Sequence, residues 1–221
     1  VALVADEWVR WSWITGHTDV IRAALVEHVE LTLVAVVAGL VVSLPLGVAA
    51  VRWRRLRTPV LLSEGVLYAI PSLAAVVLLA PWTGYLTRTT IAIPLTAYTL
   101  LILTRNVVTG LEAVPDEVRE SATGMGYGPL RLLVQVELPL AVPAIVAGIR
   151  IATVSTIALV TIGFVVGHGG LGELIDQGLR AYVDYSPLTV GIVLSVALAL
   201  VADLLLLLVQ RLLTPWTRAA R

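Results

Sequence analysis

The hydrophobic positions of this chain fall in long unbroken runs, not in alternation and not in narrow stripes. The runs cover residues 29–51, 60–79, 91–108, 141–166 and 188–213. A helix crossing a bilayer needs roughly 20 apolar residues, and each run is close to that length or beyond it. The pattern predicts an all-α membrane protein with about five transmembrane helices in one domain, 1–221. Pro45 and Gly47 in the first run and Pro71 in the second are compatible with spans, because neighbouring helices can satisfy the carbonyls a proline frees. Pro81 to Thr90 reads as a short loop with Trp82 and Tyr85 at interface depth. Residues 1–24 carry Trp8, Trp11 and Trp13 among charges. They hold no spanning run and do not suit a signal peptide, so they read as an interfacial segment.

Two polar stretches interrupt the apolar pattern. The shorter, 167–187, reads GHGGLGELIDQGLRAYVDYSP. Its glycines around His168 have no strand before them, which argues against a phosphate-binding loop and for a tight turn or re-entrant segment. The longer runs from Glu112 to Pro143 as EAVPDEVRESATGMGYGPLRLLVQVELPLAVP. Pro115 suits the first turn of a helix, where its missing N–H costs nothing. Asp116 and Glu117 then sit at the positive end of that helix. Val118, Ser121, Ala122 and Met125 follow at helical spacing as a small apolar stripe. Gly124, Gly126, Gly128 and Pro129 end the helix, and a second short helix, Leu130 to Val136, runs toward Pro139. A short helix with small residues on one face, held between two spans, is suited to docking a partner at the membrane surface.

Composition sharpens this picture. The chain is 58% hydrophobic and 14% charged, whereas soluble domains run near a quarter charged. The net charge is zero, so there is no basic field for nucleic acid. There is no cysteine, and His17, His28 and His168 are scattered, so neither a metal site nor catalytic residues are expected. There is no lysine either, and the 15 basic residues other than histidine are all arginine. Codon usage can account for that, but it still removes the phosphate-binding lysine of a P-loop. ATP, if used, would bind another chain.

Eleven of the arginines fall on one side of the predicted spans: 52, 54, 55, 57, 105, 119, 131, 150, 211, 218 and 221. Positions 10, 22, 88 and 180 fall on the other. Arginine excess marks the cytoplasmic side. The bias therefore predicts the C-terminus and residues 112–140 inside, and the N-terminus and 167–187 outside. Ionisable groups within spans are costly and usually face a bundle interior. Asp203, deep in the last run, is either a translocation-path residue or a partner of Arg150 or a hydroxyl. Glu64 and Arg150 lie near the cytoplasmic ends, where snorkelling relieves the cost. Tyr68 and Tyr98 are candidates for a cation–π path, or else interface anchors.

The long polar stretch resembles the cytoplasmic loop of permease subunits of bacterial ABC importers. That loop carries Glu-Ala-Ala, three residues, Gly, nine residues, Ile, one residue, Leu-Pro. Here Glu120-Ser121-Ala122, Gly126, Val136 and Leu138-Pro139 keep every spacing, with Ser121 for Ala and Val136 for Ile. The text from Gly124 through Val154, with GHGGLGELIDQGL after it, is similar to the osmoprotectant branch, whose members carry glycine betaine, choline or carnitine. Weaker similarity reaches back over the first two runs.

The resemblance implies a type I importer permease fold in the bacterial cytoplasmic membrane. Pro115, Asp116, Glu117, Glu120, Ser121, Ala122, Gly124, Met125, Gly126, Leu138 and Pro139 would dock an ABC ATPase subunit, which would hold ATP and Mg, this chain holding no cofactor. A second permease, identical or homologous, and an extracytoplasmic substrate-binding protein would complete the assembly in membrane lipid. Tyr68, Tyr98 and Asp203 would be path candidates. Methionine or another amino acid is the alternative cargo. An ATP-independent channel or secondary carrier is the alternative class, disfavoured by the absence of an inverted repeat.

Overall fold

The structure, a computed structural model, describes residues 9–85, 87–181 and 184–215. Trp8, Arg218 and Arg221 lie outside the described residues. Among the described residues all regular structure is helical: α1 Trp11–Gly16, α2 Thr18–Arg52, α3 Arg54–Ala69, α4 Ser72–Thr83, α5 Arg88–Glu112, α6 Asp116–Gly124 and α7 Pro129–Leu132. A π-helical turn, Leu133–Glu137, leads into α8, Leu138–Val160, and a 3-10 turn, Thr161–Val166, ends it. Then come α9, Leu171–Arg180, and α10, Ser186–Leu213.

Thr18–Arg52, Arg88–Glu112, Pro129–Val166 and Ser186–Leu213 are long and apolar enough to cross a membrane. A fifth crossing exists if α3 and α4 together form one broken span. The sequence predicts a continuous helix over 60–79, and here the structure differs. The helix ends at Ala69, and Pro71 is extended at φ −56°, ψ 130°. A proline disfavours helical dihedrals in the residue before it and donates no hydrogen bond, so the run breaks at Ile70. With 16 and 12 residues, neither half reaches the roughly 20 needed to span alone.

Three further boundaries move. The first long helix begins at Thr18, because no breaker separates that residue from the apolar run. Its 35 residues extend about 52 Å at 1.5 Å per residue, well beyond a hydrocarbon core of roughly 30 Å. The loop predicted over Pro81–Thr90 shrinks, since Pro81 lies inside α4 and Arg88 already starts α5. The second short helix of the long polar stretch is not separate, because α7 continues through the π-turn into α8. The Pro139 ring would press on the Gln135 carbonyl four residues earlier in a regular helix, and widening the turn to π geometry there relieves that contact.

The chain divides into two compact units. The first gathers the described residues of Val1–Val36, Ile70–Thr96 and Thr153–Ala202. Its core is Leu31, Ala35, Val76, Ile91, Leu95 and Val160, with Val166. His28 is fully buried there. Its Nε2 donates to the Ile157 carbonyl at 3.0 Å, and its Nδ1 accepts the Leu171 N–H at 3.3 Å. These bonds require the neutral ring protonated at Nε2. The glycine turn before α9 lies against the same helix. At Gly170 (φ +53°), an added Cβ would meet the His28 backbone nitrogen at 2.8 Å and the Ala24 carbonyl at 2.9 Å. Nearby, the Glu27 carboxylate takes His168 Nδ1 at 2.7 Å and Arg88 Nε at 3.6 Å. At the start of α10, partial burial pushes the Asp184 carboxyl up, but hydrogen bonds from Ser186 and the nearby Arg10 outweigh it and hold it below the usual carboxylate range.

The second unit gathers Val37–Ala69, Ala97–Ala152 and the described residues of Asp203–Arg221. Val107, Leu111, Ala141 and Ile145 form its core, and Leu44 and Val48 pack against them. At Gly47 the approach is close enough that a Cβ would meet Val107 Cγ1 at 2.5 Å. This unit carries the long polar stretch.

The pinning by His28 is testable. His28→Leu keeps the volume but leaves the Ile157 carbonyl and the Leu171 N–H unpartnered, at a cost of about 2 kcal/mol. The purified protein should melt at a lower temperature in detergent. An unchanged melting temperature would show that the turn does not depend on His28.

Candidate functional site

The docking loop opens at Pro115, which stands at the N-cap with extended dihedrals (φ −61°, ψ 143°), not inside the first turn. Asp116 and Glu117 occupy the first turn of α6. The helix closes in a Schellman motif: the Tyr127 N–H bonds to the Ala122 carbonyl at 3.1 Å, and the Gly126 N–H to Thr123 at 2.9 Å. The motif needs a left-handed residue after the cap, and Gly126 supplies it at φ +85°. Beyond it, Arg131 lies over the Tyr127 ring, 4.1 Å from the centroid. An open groove of about 500 Å³ borders Pro129, Leu130, Arg131 and Val134.

Nine residues of helix do not stay in place by propensity alone, and here the loop is braced by ion pairs within its own unit. Arg119 Nε donates to Glu137 Oε1 at 2.9 Å, Nη1 to Asp116 Oδ1 at 2.9 Å, and Nη2 to the Leu111 carbonyl at 2.6 Å. Arg52 Nη2 reaches Glu137 Oε2 at 3.5 Å and the Pro129 carbonyl at 3.3 Å. Arg57 grips Glu112 with two bonds of 2.6 and 3.1 Å. Of the arginines at 52, 54, 55 and 57, two therefore hold the loop.

The predicted docking residues divide into two groups. Pro115, Asp116, Glu117, Glu120, Ser121, Gly124, Met125 and Gly126 are exposed. Ala122 is buried at 3% exposure, and Leu138 and Pro139 are half-buried at the start of α8. The Ala122 methyl packs within its own chain. The predicted stripe of Val118, Ser121, Ala122 and Met125 is corrected accordingly. Val118 and Ala122, four residues apart, turn inward. Ser121 lies a quarter-turn away from them, and Met125 is past the helix end and 70% exposed.

Among the path candidates, Tyr68 and Tyr98 meet edge to face, with ring centroids 5.7 Å apart. Asp203 instead takes a two-pronged contact from Arg150, Nε to Oδ1 and Nη2 to Oδ2, each 2.9 Å. Glu64 does not snorkel. It is buried, its Oε1 accepts from Thr104 Oγ1 at 2.7 Å, and its Oε2 has no partner among the described residues. Glu137 and Thr104 were not legible as site residues, because their partners lie 18 and 40 residues away in sequence. The Asp116–Arg119 pair, by contrast, has a readable helical spacing. Among the described residues no cluster of side chains could hold a metal ion.

Long apolar helices, with an ion-paired helical loop between two of them, define a multi-pass membrane protein. A sequence model of the binding-protein-dependent transport system inner membrane components matches residues 35–218. The chain is 35% identical to the choline transport system permease protein OpuBB of Bacillus subtilis (strain 168) over 190 residues, 86% of each chain. It is 37% identical to the osmoprotectant import permease protein OsmW of Salmonella typhimurium over 193 residues, 86% of this chain and 89% of that one. The fold matches a chain of the inward-facing MetNI methionine ABC transporter with TM-score 0.78 at 22% identity, covering 90% of this chain and 98% of that one. The chain belongs to the family of binding-protein-dependent transport system inner membrane components.

The Arg150–Asp203 contact makes a prediction of its own. Asp203→Leu strands an arginine within the membrane region, whereas Arg150→Leu with Asp203→Leu removes both charges. Removing one partner leaves the other charge without its counter-ion, whereas apolar replacement of both leaves no charge behind. The single variant should melt below the double variant in detergent. Equal melting would show that the two charges are not coupled.

Proposed function

We propose that this chain is the membrane-spanning subunit of an ATP-driven importer for osmoprotectants of the glycine betaine, choline and carnitine type. The observation that carries the reading is the braced helix α6, which presents Glu117, Glu120 and Ser121 on a frame held by Arg119, Arg52 and Arg57. An ATPase subunit docks there and supplies ATP and Mg. A second permease, identical or homologous, pairs with this one around the path. A binding protein delivers substrate from outside, and this chain performs no catalysis. ATP-driven closure of the ATPases pushes α6 and switches the path between inward-facing and outward-facing states. The cargo reading is supported by relatives named for choline and for osmoprotectants. Tyr68, which is exposed and meets the buried Tyr98 edge to face, offers an aromatic face of the kind that quaternary ammonium groups prefer.

Docking is tested in complexes purified with the cognate ATPase. Ser121→Trp and Glu120→Arg alter the exposed face, and Gly126→Val strains the left-handed cap by about 1 kcal/mol or more. Each should release the ATPase or abolish substrate-stimulated hydrolysis while the permease still inserts. Normal retention and normal stimulation in all three would refute docking at α6. Cargo is tested by ligand binding to the cognate binding protein across betaine, choline, carnitine, ectoine and methionine. Preference for methionine would move the chain to the amino-acid reading.

Orientation is tested on the cysteine-free background. On intact cells, Thr123→Cys should resist an impermeant thiol reagent and Gln177→Cys should react. The reverse result would overturn the proposed sidedness.

A further inference from the structure

We infer that Glu137 is the positioning residue through which displacement of α6 reaches the membrane helices, with Arg119 and Arg52 as its two arms. The inference rests on the reading of α6 as the ATPase-docking helix. Glu137 is 5% exposed, and a carboxylate so placed is tolerated only when cations and hydrogen bonds surround it. Its two oxygens are shared between different parts of the same unit. Oε1 takes the Nε of Arg119 at 2.9 Å, and Arg119 at the same time holds the first turn of α6 through Asp116 and the end of α5 through the Leu111 carbonyl. Oε2 faces Nη2 of Arg52, the last residue of α2, at the longer distance of 3.5 Å, and Arg52 also reaches the Pro129 carbonyl at the start of α7. Both ends of the docking loop are therefore tied to one carboxylate.

The backbone under that carboxylate departs from regular α-helix. Glu137 closes the π-turn Leu133–Glu137 that joins the loop to α8. π-turns are uncommon insertions within helices and concentrate at functional positions. Pro139 and Pro143 follow and donate no backbone hydrogen bond, so this is where the helix can change register while losing the fewest bonds. A pull on α6 moves Arg119, Arg119 moves Glu137, and the π-turn yields before the regular helix on either side does. The short Arg119 arm and the long Arg52 arm give the carboxylate two unequal partners, the arrangement a two-position element requires.

The test uses the complete transporter, reconstituted with its ATPase and binding protein. Glu137→Gln keeps an oxygen acceptor for Arg119 and removes the charge. It should retain the ATPase and its basal hydrolysis, yet lose about tenfold in substrate-stimulated hydrolysis and uptake, the size of a typical coupling between sites. Glu137→Asp keeps the negative charge between the two arginines and should retain most of the stimulation. Arg52→Gln alters the weaker, more exposed arm and should uncouple in part, which keeps the inference testable if Glu137→Gln does not fold. Full stimulation in Glu137→Gln, or in Arg52→Gln where the first variant is not obtained, overturns the inference. A loss of stimulation in Glu137→Asp as large as that in Glu137→Gln also overturns it. Loss of the ATPase from the wild-type complex would instead count against docking at α6.

Discussion

Backbone amides and carbonyls cannot be left bare in hydrocarbon, and the rest of this structure follows from how the chain meets that demand. Helices meet it by themselves, and the long apolar helices are the segments able to cross a membrane. Where the helix is interrupted, a side chain takes over. At the turn before α9, the His28 ring bonds to both the Ile157 carbonyl and the Leu171 N–H. At the turn before α5, Thr90 Oγ1 donates to the Gly84 carbonyl at 2.7 Å. At the docking loop, Arg119 and Arg52 donate to the Leu111 and Pro129 carbonyls. Each of these side chains reaches a backbone group at or near a helix end, where the freed backbone needs a partner.

The same view changes the meaning of the arginines. As a count they predict sidedness. In the structure, several are committed to carboxylates: Arg52 and Arg119 to Glu137, Arg57 to Glu112, Arg88 to Glu30 and Arg150 to Asp203. An exposed pair such as Arg57–Glu112 contributes little to stability, roughly 0–1 kcal/mol. Its value is geometric, because two parallel bonds fix the angle between the groups that make them. Arg119–Glu137 is different in kind, because its carboxylate is buried and would be costly without the arginine.

The elements that depend on local chemistry were legible in the sequence. The apolar runs give the long helices, Asp116 and Glu117 mark the start of α6, and Gly126 marks its left-handed end. Pro71 was visible as well, but a proline inside an apolar run permits either a tolerated kink or a break. Which of these occurs depends on packing that the run does not encode. The inward turn of Ala122, the Tyr68–Tyr98 contact and the sharing of Glu137 were out of reach for another reason. Each joins residues from separate helices, and helical spacing carries no information about which helices meet. Arg150 and Asp203 could be named as possible partners only because few charges exist in the spans to choose among.

The carboxylates around the docking loop show how its two tasks are kept apart. Glu112, Asp116 and Glu137 are spent on the chain's own arginines. Glu117 and Glu120, on the exposed side of the same short helix, form no ion pair among the described residues. A helix whose outward charges were also its braces would have to break its support in order to bind. Here the support lies at the loop's inner edge and the offered charges lie outside it. A partner that engages Glu117 and Glu120 meets a surface already fixed in place, and little ordering entropy remains to be lost on docking. Rigidity of that kind also serves transmission: a loop held at both ends passes a push on to its supports instead of absorbing it.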